Sequence, residues 1–280
     1  MGKSARTFIT DFITDEKCRI LQNQQLAPEI YRLRFESTFI ARHAIPGQFL
    51  NLRVIRSLTP LLRRPFCIHR IQAEAQWVEI LFDVRGIGTQ ILAEASAGTL
   101  IDVLGPLGMP FQWDSKLQVA LLVGGGMGIA PLLFLAQRLQ PLNVPIICYY
   151  GVRSHQQLCC QDDLKELGVT LKIATEDGKT GFHGLITDLL KADHQSGAFQ
   201  ETTLTIFACG PAAMLRTVQT LAEKWQVEAQ LSLESMMGCG FGVCVGCAIP
   251  TRNPENATNH YKLVCQDGPV FSSKEVIIPD

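Results

Sequence analysis

No long run of like charge occurs in the 280 residues. The 25 basic and 26 acidic side chains are interspersed to a net charge of −1, so the electrostatic footprint of a nucleic-acid or anionic-membrane partner is missing. The opening stretch, MGKSARTFITDFITDEKCRI, lacks an apolar core before a small-residue cleavage site; no secretory signal is expected, and the chain is assigned to the cytoplasm. An unbroken apolar span is lacking too. The uncharged segment LQVALLVGGGMGIAPLLFLAQ, between Lys116 and Arg138, is long enough to cross a bilayer. Its glycines and Pro131 divide it into a strand-like run, a loop and a helical run, which suits a buried strand, turn and helix. Ten cysteines in a chain of this kind read as metal ligands and buried thiols rather than as the disulfide framework of a small secreted domain.

What is present is concentrated toward the C-terminus. Cys239, Cys244, Cys247 and Cys265 are separated by four, two and seventeen residues, the plant-type spacing in which four thiolates hold two irons. Gly238, Gly240, Gly242 and Gly246 fill the gaps, leaving backbone free to fold tightly round an inorganic core. Structural zinc is the rival reading, although zinc sites usually repeat close cysteine pairs on both sides of a spacer, and here the last cysteine stands alone.

The remaining composition, 47% hydrophobic and 18% charged, is globular, and the length suggests two or three domains. From Cys18 to Asp102 come short strand-like runs, among them IYRLRFE, GQFLNLRV, PFCIHRI and WVEILFDV, with no convincing helical period before Gly88 to Leu92. This predicts a small antiparallel barrel. From Leu117 the rhythm becomes strand, glycine loop, helix, strand, as in QVALLV, GGGMGIAP, LLFLAQRLQ and VPIICYYG, which predicts a parallel α/β nucleotide domain. The glycine loop Gly124, Gly125, Gly126, Gly128 departs from a strict G-x-G-x-x-G, and no acidic residue ends the next strand. It remains open between a phosphate-binding turn and a turn packed closely under a helix. Domains are expected at 9–112, 113–230 and 231–280.

Four separated motifs together resemble the flavin- and NAD(P)-dependent ferredoxin reductases. Arg64-Pro65-Phe66-Cys67 is similar to the flavin motif Arg-x-Tyr/Phe-Ser/Thr, whose arginine meets the FAD diphosphate. Phe82-Asp83-Val84 followed by Gly88-Thr89 resembles the second flavin strand and its phosphate turn. Gly124 to Pro131 resembles the nucleotide-phosphate loop, and Ala208-Cys209-Gly210-Pro211 with Met214 the turn beside the nicotinamide. Singly, Arg64 can be a surface ion-pair partner and Cys209 a small buried hydrophobe. The C-terminal motifs, Glu234-Ser235-Met236 leading to Cys239 and Cys265-Gln266-Asp267-Gly268-Pro269, resemble the electron-transfer subunits of class 1B dihydroorotate dehydrogenases over nearly the whole chain.

That resemblance implies a ferredoxin reductase-like fold of three parts: an antiparallel FAD barrel, a parallel-sheet NAD domain and a [2Fe-2S] domain. It also implies FAD, a [2Fe-2S] cluster and NAD as cofactors, with an FMN-containing dihydroorotate dehydrogenase subunit as partner in a heterotetramer of two of each. Electrons would run from the partner's FMN through cluster and FAD to NAD, serving pyrimidine biosynthesis. The three domains take up the sequence, so the substrate-oxidising barrel is expected on another chain. Related subunits of sulfide dehydrogenases, hydrogenases and NADH-dependent ferredoxin:NADP oxidoreductases share the motifs; in some the first ligand is aspartate, so Cys239 favours the pyrimidine reading. Cys67 departs from the motif, because a thiol is a weaker donor than the usual hydroxyl. NAD against NADP stays open, since Arg153-Ser154 can hold a 2′-phosphate or cap a helix. His69, His155 and His183 are read as structural or surface residues, and no general acid, base or nucleophile is expected. A zinc-stabilised, nucleotide-binding regulatory module is the alternative of another class; it would be colourless.

Overall fold

Alternating inward and outward side chains close the first third of the chain into a ring. The structure, a computed structural model, describes residues 13–55, 59–198, 203–252 and 261–279; the expected domain start at residue 9 lies outside them. The ring comprises β1 (Thr14–Ala27), β2 (Ile30–Glu36), β3 (Phe49–Arg53), β4 (Arg64–Gln72), β5 (Trp77–Asp83) and β6 (Leu100–Leu107). They join antiparallel in the order β1-β2-β5-β4-β3-β6, with β1 pairing β6 to complete the closure. Leu33, Phe35, Leu50, Leu52, Ile68, Val78, Ile80 and Val103 fill the interior, as a period of two requires of a small barrel. Two helices interrupt the strands: α1 (Thr38–His43), capped by Ser37, whose Oγ accepts from the Ile40 amide at 3.0 Å, and α2 (Ile87–Glu94). The expectation of no helix before Gly88 is thus corrected at α1, whose six residues are under two turns and too short to register a period.

The second part contains β7 (Val119–Gly125), α3 (Ile129–Leu139), β8 (Ile146–Val152), α4 (Gln161–Glu166), β9 (Thr170–Thr175), β10 (Phe182–His183), α5 (Ile186–Gln195), β11 (Leu204–Cys209), α6 (Ala212–Trp225) and β12 (Glu228–Ser232). The strands run parallel in the order β10-β9-β8-β7-β11-β12. Successive strands are laid to one side of β7 and then to the other, so a switch point falls between β7 and β11, where open α/β sheets bind ligands at the strand ends.

Helix α3 explains the uncharged 117–137 segment. Nine of its residues are buried because it lies between two layers. Leu132, Leu133, Leu135 and Ala136 pack with the sheet, while Phe134 sits among the barrel's core residues. A helix covered on both faces has no polar stripe. No helix among the described residues is long and apolar enough to cross a membrane. Charge reinforces the contact between the two parts: Asp163 of α4 takes Arg70 Nη1 at 2.6 Å and Arg32 Nη1 at 3.1 Å from the barrel, while within the barrel buried Glu79 takes Arg34 Nη2 at 2.7 Å.

Beyond Ser232 the chain folds back. It forms the ribbon β13 (Ala248–Pro250) with β14 (Tyr261–Leu263), then β15 (Val270–Ser272). β15 pairs antiparallel with β12 through Gln230↔Ser272, Leu231↔Phe271 and Ser232↔Val270 and becomes the seventh strand of the sheet. The expected boundary at 230/231 therefore falls within β12, and the third part shares a sheet with the second.

Candidate functional site

A cleft of about 290 Å³ opens where the three parts meet. β4 supplies Arg64, Pro65, Phe66 and Cys67; the end of β5 supplies Phe82 and Asp83; α2 supplies Thr89. The aromatic wall is set by packing, Phe66 lying edge-on to Phe82 at 5.9 Å and Tyr31 stacking on Phe82 at 5.7 Å. Val84, just past β5, is not in the lining; its amide donates to the Glu29 carbonyl at 2.9 Å, which fixes the turn leaving the strand. The start of α2 is tied by Thr89, whose Oγ1 accepts from the Arg85 and Gly86 amides at 2.8 and 3.2 Å. Gly88 carries no side chain because Arg64 crosses it: a Cβ there would stand 2.8 Å from Arg64 Cζ. The sheet thereby holds a guanidinium over a helix N-terminus, an arrangement that suits a diphosphate.

The glycine loop reaches the cleft from the other side. Cys209 is in register with Gly124, so the ends of β7 and β11 lie side by side. Gly125 is in contact with the Gly210-Pro211 turn: a Cβ on it would lie 2.8 Å from Pro211 Cδ and from Met214 Sδ. Gly128 is pressed on the backbone of Cys209 and Gly210, its would-be Cβ 2.7 Å from the Gly210 amide. Gly126 takes a φ of +55° with open space around it. Met127 and Ala130, at the foot of α3, line the cleft directly. Burial pushes the Cys67 thiol up to about 12, with Glu234 adding to it, and Cys209 is raised well above its usual range by burial, then by Cys67 and Glu234. Both stay protonated at neutral pH, and Cys67 is a weak S–H donor rather than a nucleophile. Glu234 is reachable by solvent through the open cleft yet crowded by protein. That crowding raises its carboxyl, Arg85 opposing and Asp83 assisting.

The cysteine loop follows directly on Glu234 to Met237. Its four thiols fall into two pairs. Cys247 and Cys265, both 3% exposed, have their sulfurs 3.3 Å apart, while the Cys244 thiol is hydrogen-bonded to Cys239. Backbone amides point at these sulfurs: Val243 and Cys244 to Cys239 Sγ at 3.3 and 3.4 Å, Gly242 to Cys265 Sγ at 3.1 Å. Gly240 and Gly242, at φ +79° and +88°, allow that turn. Burial pushes the Cys239 thiol up, but the amides of Cys244, Phe241 and Val243 and the Cys244 thiol outweigh it and bring the pKa down to about 6. Among the described residues no three metal-ligating side chains gather around one point. Donors aimed at sulfur suit thiolate ligands.

Neither Asn51, whose Nδ2 donates to the Cys239 carbonyl at 2.8 Å, nor Met127 and Arg85 at the cleft was found by the sequence reading. Isolated side chains without a periodic or spaced pattern carry no signal; for Asn51 the one hint is an amide in the apolar run FLNLR.

The barrel, the doubly wound sheet and the cleft between them define an oxidoreductase of the ferredoxin-reductase type. An oxidoreductase NAD-binding domain model matches residues 122–220, and a model of the iron–sulfur cluster binding domain of dihydroorotate dehydrogenase B matches residues 234–277. Electron transfer subunits of dihydroorotate dehydrogenase B (NAD(+)) are 34% identical over 259 residues in Desulforamulus reducens and 37% identical over 262 residues in Bacillus cereus. Each alignment covers 92% of this chain and 97% of the relative. The chain belongs to that family. Among solved structures, an NADH-dependent reduced ferredoxin-NADP oxidoreductase superposes with a TM-score of 0.81 at 26% identity, over 99% of this chain and 92% of the other. The ferredoxin-NADP+ reductase of Plasmodium falciparum, at 13% identity and a TM-score of 0.63 over 78% of this chain and 96% of the other, shares the fold.

Proposed function

We propose that this chain passes electrons between NAD and a separate FMN-containing dihydroorotate dehydrogenase subunit, through FAD in the cleft and a [2Fe-2S] cluster in the cysteine loop. The observation that carries it is the adjacency of the three sites: Glu234, Ser235 and Met237 line the cleft, and the chain leads from them without a break into the first cluster ligand. In this reading Arg64 and the start of α2 would hold the FAD diphosphate, and Pro65, Phe66, Cys67, Phe82 and Asp83 would hold the flavin, with Cys67 as a neutral donor. The Gly124 to Gly128 loop and Cys209 to Pro211 receive NAD, and Cys239, Cys244, Cys247 and Cys265 ligate the irons. When bound, the flavin supplies conversion between two-electron hydride exchange and the one-electron steps of an iron–sulfur cluster. The protein's part is to set distance and orientation and to keep the crevice apolar through Phe49, Phe66, Met127 and Leu233.

The docking face lies round the outer thiol pair. Met236, Phe241, Val243 and Val245 are 91%, 51%, 74% and 60% exposed beside exposed Cys244. A partner covering these apolar groups brings its flavin close to the cluster. Two of each chain form the complex, in the cytoplasm, and NAD rather than NADP is the nicotinamide.

The test is reconstitution. The isolated chain should reduce an artificial acceptor with NADH but leave dihydroorotate untouched, and adding the FMN subunit should give dihydroorotate-dependent NAD reduction in a heterotetramer. Dihydroorotate oxidation by the chain alone, or an FMN subunit that neither co-purifies nor alters its activity, rejects the proposal. The near full-length superposition on the ferredoxin-NADP oxidoreductase supports a second reading, a different electron partner, for which reduced ferredoxin would replace dihydroorotate in the same assay.

A further inference from the structure

Strand β3 meets both the cleft and the cysteine loop. Phe49 lines the cleft and belongs to the apolar cluster that includes Cys247 and Cys265. Two residues on, and so on the same face of the strand, Asn51 is 1% exposed and donates to the carbonyl of Cys239 at 2.8 Å. Gly240, the next residue of the loop, is pressed against the same amide: a Cβ there would stand 3.1 Å from Asn51 Cγ. The orientation of the amide follows from its neighbour, since a flipped group would set Oδ1 against the Cys239 carbonyl, acceptor facing acceptor. Oδ1 is then left buried with no partner. An orphaned buried oxygen is unfavourable, and an apolar residue of similar size would avoid it, so the amide's contribution here is its bond to the loop. The backbone behind it is fixed as well, Arg63 Nη1 donating to the carbonyls of Asn51 and Asp102 at 3.1 and 3.2 Å. In the register of the sheet, Asn51 lies opposite Pro65, beside the strand residues that line the cleft.

We propose that Asn51 is the positioning residue that fixes the cluster loop against the flavin barrel and so sets the rate of electron exchange between the two cofactors. Its side chain provides a bonded route from β3 through the hydrogen bond to the Cys239 carbonyl, and from there through Cα and Cβ to Sγ. Each crossing oxidises one cofactor and reduces the other by one electron, and Asn51 itself neither gains nor loses a proton. Electronic coupling decays less steeply along bonds and hydrogen bonds than across gaps, so a loop loosened from β3 loses rate even when both cofactors remain bound.

The inference rests on the reading that Cys239 ligates the cluster. A wild-type chain without iron would fail that reading, whereas the experiment below addresses Asn51 in iron-loaded protein. The holo-chain is mixed anaerobically with NADH while flavin bleaching is followed by absorbance and the cluster signal by rapid-freeze electron paramagnetic resonance. In Asn51→Ala the flavin should bleach at close to the wild-type rate, while the cluster signal should rise about tenfold more slowly or worse, as misplacement of a donor–acceptor pair costs rate steeply. Asn51→Asp, of the same shape but without the donor, and Gly240→Ala, which presses on the contact from the loop side with β3 intact, should show the same split and an altered cluster line shape. Amide exchange at Cys239 to Val243 should quicken in each. If the cluster signal keeps pace with flavin bleaching in iron-loaded Asn51→Asp and Gly240→Ala, Asn51 does not position the loop for electron exchange and the inference is overturned.

Discussion

Adding one methyl group at Gly88 sets two effects of opposite sign against each other. Gly88 lies in the first turn of α2, and its φ is outside the left-handed region, so alanine there should strengthen the helix by about 0.5–1 kcal/mol. The new Cβ, however, would stand 2.8 Å from Cζ and 3.0 Å from Cδ of Arg64, and Arg64, at the end of a flexible side chain, must swing aside. A charge-assisted hydrogen bond from that guanidinium to the FAD diphosphate is worth about 1.5–3 kcal/mol. Its loss weakens FAD binding by roughly 10- to 150-fold. Gly88→Ala should therefore raise or preserve the melting temperature of the flavin-free chain while loosening its grip on FAD. Arg64→Ala should give a similar loss of affinity without the gain in stability. Because both act on one contact, the double variant should lose little more than either alone. Fluorescence titration of the stripped protein with FAD measures all three. Wild-type affinity in Gly88→Ala, or losses that add in the double variant, would refute the placement of Arg64 on the diphosphate.

Three further outcomes follow from particular residues. Cys247→Ser, within the buried thiol pair, should abolish or strongly alter the iron signal with FAD retained; unchanged iron content and an unchanged reduced-state spectrum would remove Cys247 from the site. Phe241→Glu should weaken dihydroorotate-linked NAD reduction with the FMN subunit more than NADH oxidation by an artificial acceptor, and equal effects would place the docking face elsewhere. His69 is fully buried, its Nδ1 donating to the Ala130 carbonyl at 3.1 Å, and burial holds its pKa down to about 4, against the opposing pull of Glu79. The unfolded chain takes up this proton near pH 6.5 and the native one only near 4. Stability is therefore complete above about pH 6.5 and declines by up to about 3 kcal/mol as pH falls to 4. His69→Asn should flatten the urea midpoint between pH 7 and 4.5, and an unchanged slope would show that His69 does not govern it.

Much of the architecture was legible because it is periodic. IYRLRFE alternates, and Leu33 and Phe35 do point inward; Ile30 on the outer face is also buried, in the apolar cluster that belongs to the α/β part rather than in the barrel core. The strand, loop and helix at Val119 to Leu139 were equally plain, but the reason for their uninterrupted apolar character was not, since the side chains of α3 face two different domains. Contacts between distant segments left no trace. β15 is three residues long and β12 reads EAQLS, so neither has a pattern that announces a strand, and their pairing depends on a register that sequence alone does not supply. At the site, spaced cysteines and glycines could be read because metal ligation and tight turns demand specific residue types. Asn51, Arg85 and Met127 could not, because only the fold brings them to the cofactor sites.

The shared sheet also orders events during synthesis. β12 emerges from the ribosome with one edge open, and its antiparallel neighbour β15 arrives only after the cysteine loop between them has been made. Until then the edge of β12 turned away from β11 faces no partner, and an open strand edge is an invitation to pair with another chain. The nucleotide sheet is therefore finished late, since the segment running from Cys265 to Phe271 leads from the cysteine loop into its last strand.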